Sequence, residues 1–175
     1  MIAPFWMNMI FICVLFVNHA GATETQVEPF NSWAQKVNIP GLVKDIFAKK
    51  KLDDVYEFSF NLNPFYLRGD FNGDKQNDIA ILIKEKKTGK MGIAICHYKK
   101  SEVFIVGAGH AIGNGGDDFK WMHVWSVYPK SKVQSPEERT PIQLIGEGLS
   151  VEEGESASGL IYWTGKEYKW YQMTD

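Results

Sequence analysis

Apolar positions along the chain change period more than once. FNSWAQKV, at 30–37, sets Phe30, Trp33 and Val37 on one side of a short helix that Asn31 or Ser32 can cap. Pro40 suits the first turn of a second helix, and Leu42, Val43, Ile46 and Phe47 recur behind it at helical spacing. Over 55–63 the period drops to two, with Tyr56, Phe58 and Phe60 alternating against Val55, Glu57 and Ser59 as in a half-buried strand. DIAILIK, at 78–84, is almost continuously apolar, the pattern of a strand covered on both faces. MGIAICHY and VFIVGAG follow as two more strands, and the KKTGK and KKSE segments leave room only for tight hairpins. HAIGNGGDDF reads as a glycine-rich loop, WMHVWSVYP as an aromatic strand and KSKVQSPEERTP as a polar surface loop. From 141 onward the pattern holds two to three strands. Gly165-Lys166 forms a hairpin turn there that sets Trp163 against Tyr168 and Ile161 against Trp170. The expected fold class is α+β: an antiparallel β-sheet meander with one or two short N-terminal helices.

Composition narrows the class of protein. The 175 residues are 45% hydrophobic with a net charge of −2, which is globular and gives no electrostatic case for a nucleic-acid partner. Lysines at 49–51, 84–90 and 99–100 fall at an expected helix C-terminus and at hairpin tips, which are solvated positions. Residues 1–22 carry no Asp, Glu, Lys or Arg, run apolar over 9–17, and end in Ala20-Gly21-Ala22. That reads as a signal peptide cut after Ala22, and the expectation is a single globular domain over 23–175 in the periplasm or outside the cell. A retained anchor is the alternative, but the apolar run is short for a membrane span, so no membrane partner is expected after cleavage. Loss of Cys13 leaves Cys96 as the remaining cysteine. Neither an internal disulfide nor a disulfide-linked partner is then expected, and Cys96 reads as a buried thiol within GIAICHY.

The candidate chemistry sits between the helical and the strand-rich parts, in RGDFNGDKQND. Asp70, Asn72, Asp74 and Asp78 occupy alternating positions of a short loop, and the carbonyl of Gln76 falls between the last two. Alternating oxygen ligands on a tight loop are what Ca2+ takes, and carboxylates this close repel one another unless a cation screens them. The loop is not a helix–loop–helix calcium hand, because Ile81 stands where that motif has its bidentate Glu and strands are expected on both sides. The alternative is an Asx-rich turn held by its own side-chain hydrogen bonds. Arg68-Gly69-Asp70 also spells an adhesion tripeptide, a reading that would need Asp70 free on an exposed tip.

GDFNGDKQNDIAIL, at 69–82, resembles the cation loop of FG-GAP (integrin-type) repeats. The resemblance covers about one tenth of the chain, in a single copy, so no propeller is implied. It implies a calcium site between strands, with Asp70, Asn72, Asp74 and Asp78 as ligands and Lys75 where the family has glycine. GNGGDDFKWM and the C-terminal ESASGLIYW and YKWYQ segments are similar to small exported bacterial proteins that carry such a loop.

Other constellations say less. His97, His110 and His123 lack paired zinc spacing, GESASG lacks the spacing of a nucleophile elbow, and GAGHAIGNGG lacks that of a phosphate loop. Asp117-Asp118 can cap a short helix at Phe119, or can complete a metal shell or a small-ligand site beside His110. The functional expectation is a non-enzymatic calcium-binding module with a structural ion. Two alternatives stay open: a protein- or glycan-binding, inhibitor-like protein using the 107–118 loop and an aromatic surface around Trp121, Trp125 and Trp163, and a metal-assisted hydrolase.

Overall fold

The computed structural model describes residues 36–137 and 140–174. The signal-peptide reading and most of the first expected helix lie outside them. Val37, expected to face inward, is 53% exposed. Among the described residues the architecture is mostly antiparallel β-sheet with one complete α-helix, α1 (Gly41–Lys50). Pro40 stands at its N-cap, Val43, Ile46 and Phe47 form its buried stripe, and Lys49 and Lys50 fill its last turn. No helix among the described residues is long and apolar enough to cross a membrane.

The first sheet is built around β3 (Asp78–Glu85), which pairs with β4 (Met91–His97), itself paired with β5 (Glu102–Gly107). Two short strands share the other edge of β3. β1 (Tyr56–Phe58) lies against residues 83–85, and β2 (Tyr66–Gly69) lies against 78–81. The strand expected over 55–63 is therefore only three residues long. Ser59 N still donates to Leu82 O, but the chain then leaves the ladder and Leu82 N turns to Phe65 O instead. Alternation persists past the pairing because Phe60 and Phe65 go on packing against the same buried cluster as Phe58.

β3 is covered on both faces, as its sequence requires. Ile79, Ile81 and Ile83 face α1, in a cluster with Val43, Ile46 and Phe47. Ala80 and Leu82 share a cluster with Trp125, Leu149, Val151 and Ile161 of the second sheet. That sheet has the order β11 (Tyr168–Thr174), β10 (Ala157–Trp163), β9 (Gly148–Glu153), β6 (Val124–Tyr128). The hairpin register is as expected, Trp163 opposite Tyr168 and Ile161 opposite Trp170. WMHVWSVYP is only partly strand, since its beginning belongs to a 310 turn at Phe119–Trp121.

The segment expected as a polar surface loop over 130–141 is not simply a loop among its described residues. β7 (Lys132–Val133) pairs with β8 (Ile142–Gln143), and Ser135 Oγ donates to Gln172 O at 2.6 Å. Val133 is buried with Leu144, Leu160 and Tyr171, so this ribbon covers the outer face of the second sheet. One apolar residue among polar neighbours was too small a signal to place it.

Cys96 is fully buried on β4, and burial, with the Asp78 charge adding to it, pushes the thiol up to about 12. A thiol reagent at about pH 8 is therefore expected to leave native Cys96 unlabelled and to label it on unfolding. Rapid labelling of the native protein would contradict this packing. His97 is the buried, satisfied histidine that its strand suggests: its Nε2 lies 2.7 Å from Tyr168 Oη. Burial lowers its pKa and favours the neutral ring.

Candidate metal centre

Residues 70–77 form the loop of the β2–β3 hairpin, closed by the pair Gly69 and Asp78. The chain curls here because two residues adopt left-handed backbone, Gly73 at φ +82° and Lys75 at φ +67°. Lys75 thus stands where glycine would be less strained, the same position at which the resembling family carries glycine. Asp70 organises the curl: its Oδ1 accepts from Gly73 N at 2.7 Å and its Oδ2 from Lys75 N at 3.0 Å. Asn72 Oδ1 accepts from Asp74 N, and Asp74 Oδ1 from Gln76 N, both at 2.9 Å. The polar side chains of the loop therefore turn back on their own backbone, the self-bonded arrangement of an Asx-rich turn.

Asp70 is thereby removed from the adhesion reading. Both of its carboxylate oxygens are engaged within the loop, Gly69 is buried in β2, and the Arg68 guanidinium sits 5.6 Å from the centre of the Tyr66 ring.

Asp78 differs from the other three. It is fully buried at the start of β3. Its Oδ1 accepts from Tyr98 N at 2.9 Å, while its Oδ2 has no hydrogen-bond partner. The Asn72 amide acts weakly on the carboxylate without reaching hydrogen-bond geometry. Burial first, then the charges of Asp74 and Asp70, push its carboxyl up to about 6, against the partial relief given by Tyr98 N. Among the described residues no three His, Cys, Asp or Glu side chains close into a metal cage. The donor set of the loop is all oxygen, which suits a hard cation rather than zinc. A buried carboxylate oxygen without a donor fits the same requirement.

Three partners of the loop were not found by sequence reasoning. Phe71 is fully buried and anchors the loop in the cluster between the sheets. Glu147 bonds the backbone of Asp70 twice, Oε2 accepting from Asp70 N at 2.8 Å and its own N donating to Asp70 O at 2.7 Å. Gly146 packs so closely that a Cβ there would fall 2.3 Å from Asp70 O. The GEG triplet at 146–148 is the only trace of this in the sequence, an acid flanked by residues that permit close backbone approach.

The second candidate group is spent on the fold. His110 Nε2 lies 3.0 Å from Tyr56 Oη, and Asp117 pairs with Lys90. Asp118 caps the 310 turn at Phe119, its Oδ1 accepting from Met91 N at 2.9 Å and from Lys120 N at 3.2 Å. Burial opposes ionisation of Asp118, but these hydrogen bonds and the Lys120 ammonium together hold its carboxyl below the usual range. The three side chains share a loop yet face different partners, so they present no converging acid, base and nucleophile for a hydrolase. The expected aromatic surface is also divided. Trp125 is buried, donating to Pro64 O at 2.8 Å, and Trp163 packs edge-on against His97 and Phe104.

Comparison of the chain with family models, with curated proteins and with solved structures finds no match.

Proposed function

We propose that this chain is an exported, non-enzymatic calcium-binding module of α+β class, in which the ion is structural. The carrying observation is Asp78 Oδ2, a buried carboxylate oxygen with no donor, lying behind a loop already curled by Asp70, Asn72 and Asp74. A divalent cation supplies what that oxygen lacks, and it relieves the repulsion that Asp70 and Asp74 exert on Asp78. Asp70, Asn72, Asp74 and Asp78 would hold the ion through side chains and Gln76 through its carbonyl. The ion would fix the β2–β3 hairpin in the shape that Glu147 grips from outside and that Phe71, from within the loop, anchors in the core.

The test is melting of the metal-stripped protein against added calcium, together with metal analysis of the protein as purified. Calcium at about one hundred times its Kd adds about 2.7 kcal/mol to the folded state. For a domain of this size that raises Tm by about 5–10 °C. Asp74→Ala is expected to abolish the rise while leaving the metal-free Tm nearly unchanged. A wild-type Tm indifferent to calcium would overturn the proposal.

A further inference from the structure

A second site lies between the Phe119–Trp121 turn and the outer strands β10 and β11, in a groove of about 380 Å³. Trp121 and Trp170 line it as a corner, their ring centroids 6.1 Å apart and their planes at 80°. Trp170 is rigidly seated, because its indole lies against three glycines. A Cβ at Gly159 would fall 1.9 Å from Cζ2, and one added at Gly113 or Gly115 would fall 2.6 Å from the same side chain.

The hydrogen-bonding state of the walls decides what can bind there. Both indole N–H groups are committed to the protein, Trp121 Nε1 to Gly115 O at 3.2 Å and Trp170 Nε1 to Gln172 Oε1 at 2.7 Å. Gln172, buried beneath them, donates its amide to Thr174 O at 2.7 Å, and its Oε1 also accepts from Asn114 at 3.3 Å. Ser158 Oγ is bonded to Thr174 Oγ1 at 2.8 Å. What remains for a ligand is ring surface, the exposed carboxylate of Glu153, and the part of the exposed Asn114 amide not given to Gln172. Among the described residues lining the groove there is no Lys or Arg. A sugar needs donors as well as acceptors, and most of the donors here are already used. A cation without N–H groups needs only π surface and a counter-charge.

We propose that this groove binds an organic cation, a quaternary or N-methylated alkylammonium group, with Trp121 and Trp170 as its walls and Glu153 as its counter-charge. The site is separate from the 70–78 loop and does not depend on the calcium reading.

The experiment titrates the full protein with choline chloride, with tetramethylammonium chloride and with sodium chloride, following tryptophan fluorescence and heat. Saturable binding of the two organic cations is expected, with a Kd of about 1 mM or tighter and no saturation with sodium. Trp121→Ala and Glu153→Gln should each weaken it about tenfold. Glu153 is exposed, so its variant reports on the site even if Trp121→Ala unfolds. The neutral tert-butyl analogue of choline separates charge from shape, and it is expected to bind at least tenfold more weakly. Phosphatidylcholine vesicles that carry the protein down on sedimentation would assign the group to a lipid headgroup, and binding of free choline alone would assign it to a small solute. Either result supports the proposal. Choline behaving like sodium, the neutral analogue binding as well as choline, or Glu153→Gln binding unchanged would each overturn it.

Discussion

Asp78→Asn is expected to stabilise the metal-free protein at neutral pH and, where the loop holds calcium as proposed, to abolish the response to the ion. The first effect follows from the carboxyl being pushed from 3.8 up to about 6, chiefly by burial. A carboxylate whose folded pKa is raised gives the folded state more bound protons than the unfolded state between those two values. Stability then falls as pH rises from about 4 to about 6, and the whole penalty is in place above 6. A rise of this size corresponds to about 3 kcal/mol against folding at pH 7. Asparagine removes the charge and keeps an oxygen for Tyr98 N, but its amide N–H groups meet the partnerless side of the pocket, which returns about 1 kcal/mol of cost. The net gain should be about 1–2 kcal/mol, read from urea unfolding in chelator at neutral pH, with the slope between pH 4 and 6 flattened. On the proposed reading calcium would reverse the sense of the wild-type result, because the ion would make the Asp78 charge useful. A variant that is less stable than wild type in chelator, with the pH slope intact, would show that the Asp78 carboxylate is simply a hydrogen-bond acceptor for Tyr98.

Gly146→Ala is expected to cost about 2–4 kcal/mol and to weaken calcium binding at the same time. The new methyl group would lie 2.3 Å from Asp70 O, 2.6 Å from Gly73 N and 2.9 Å from Phe71 C. All three are backbone atoms and none can swing aside as a side chain would. Asp70 O is held by Glu147 N, and Gly73 N is held by Asp70 Oδ1. Relief therefore requires the loop and the 145–147 segment to separate, and that loosens Asp70 first. Gly41→Ala, where nothing lies within 4 Å of the added carbon, is the control for inserting a methyl group. Denaturant unfolding measures the cost, and the calcium-induced shift in Tm measures the coupling. A Gly146→Ala protein as stable as the control, with an undiminished calcium shift, would mean that the two segments are not in firm contact.

Much of this was legible in the residues themselves where the determinant is local. Ile79, Ile81 and Ile83 alternate with Ala80 and Leu82, and both sets are apolar, so β3 had to be covered on both faces. Gly165 fixed the register of the last hairpin. The curl of the 70–78 loop could be read from the spacing of Asp70, Asn72 and Asp74, since each side chain bonds an amide two to five residues ahead. Determinants that arrive from elsewhere in the chain left no periodicity. Glu147 meets Asp70 across 77 positions, and Trp170 meets Gly113 and Gly115 across more than 50. The isolation of Asp78 Oδ2 was equally invisible, because it depends on which donors fail to reach it.

The pair of hydrogen bonds between Glu147 and the backbone of Asp70 also bears on an order of events. The β2–β3 hairpin is contiguous in sequence and can close early, whereas Glu147 arrives only with β9, after most of the chain has been made. Contacts of such long sequence separation form late, because a large loop must first be closed. The loop is therefore a latch rather than a nucleus: a nascent chain ending before Glu147 holds every acidic residue of the loop and still lacks the grip that sets their positions.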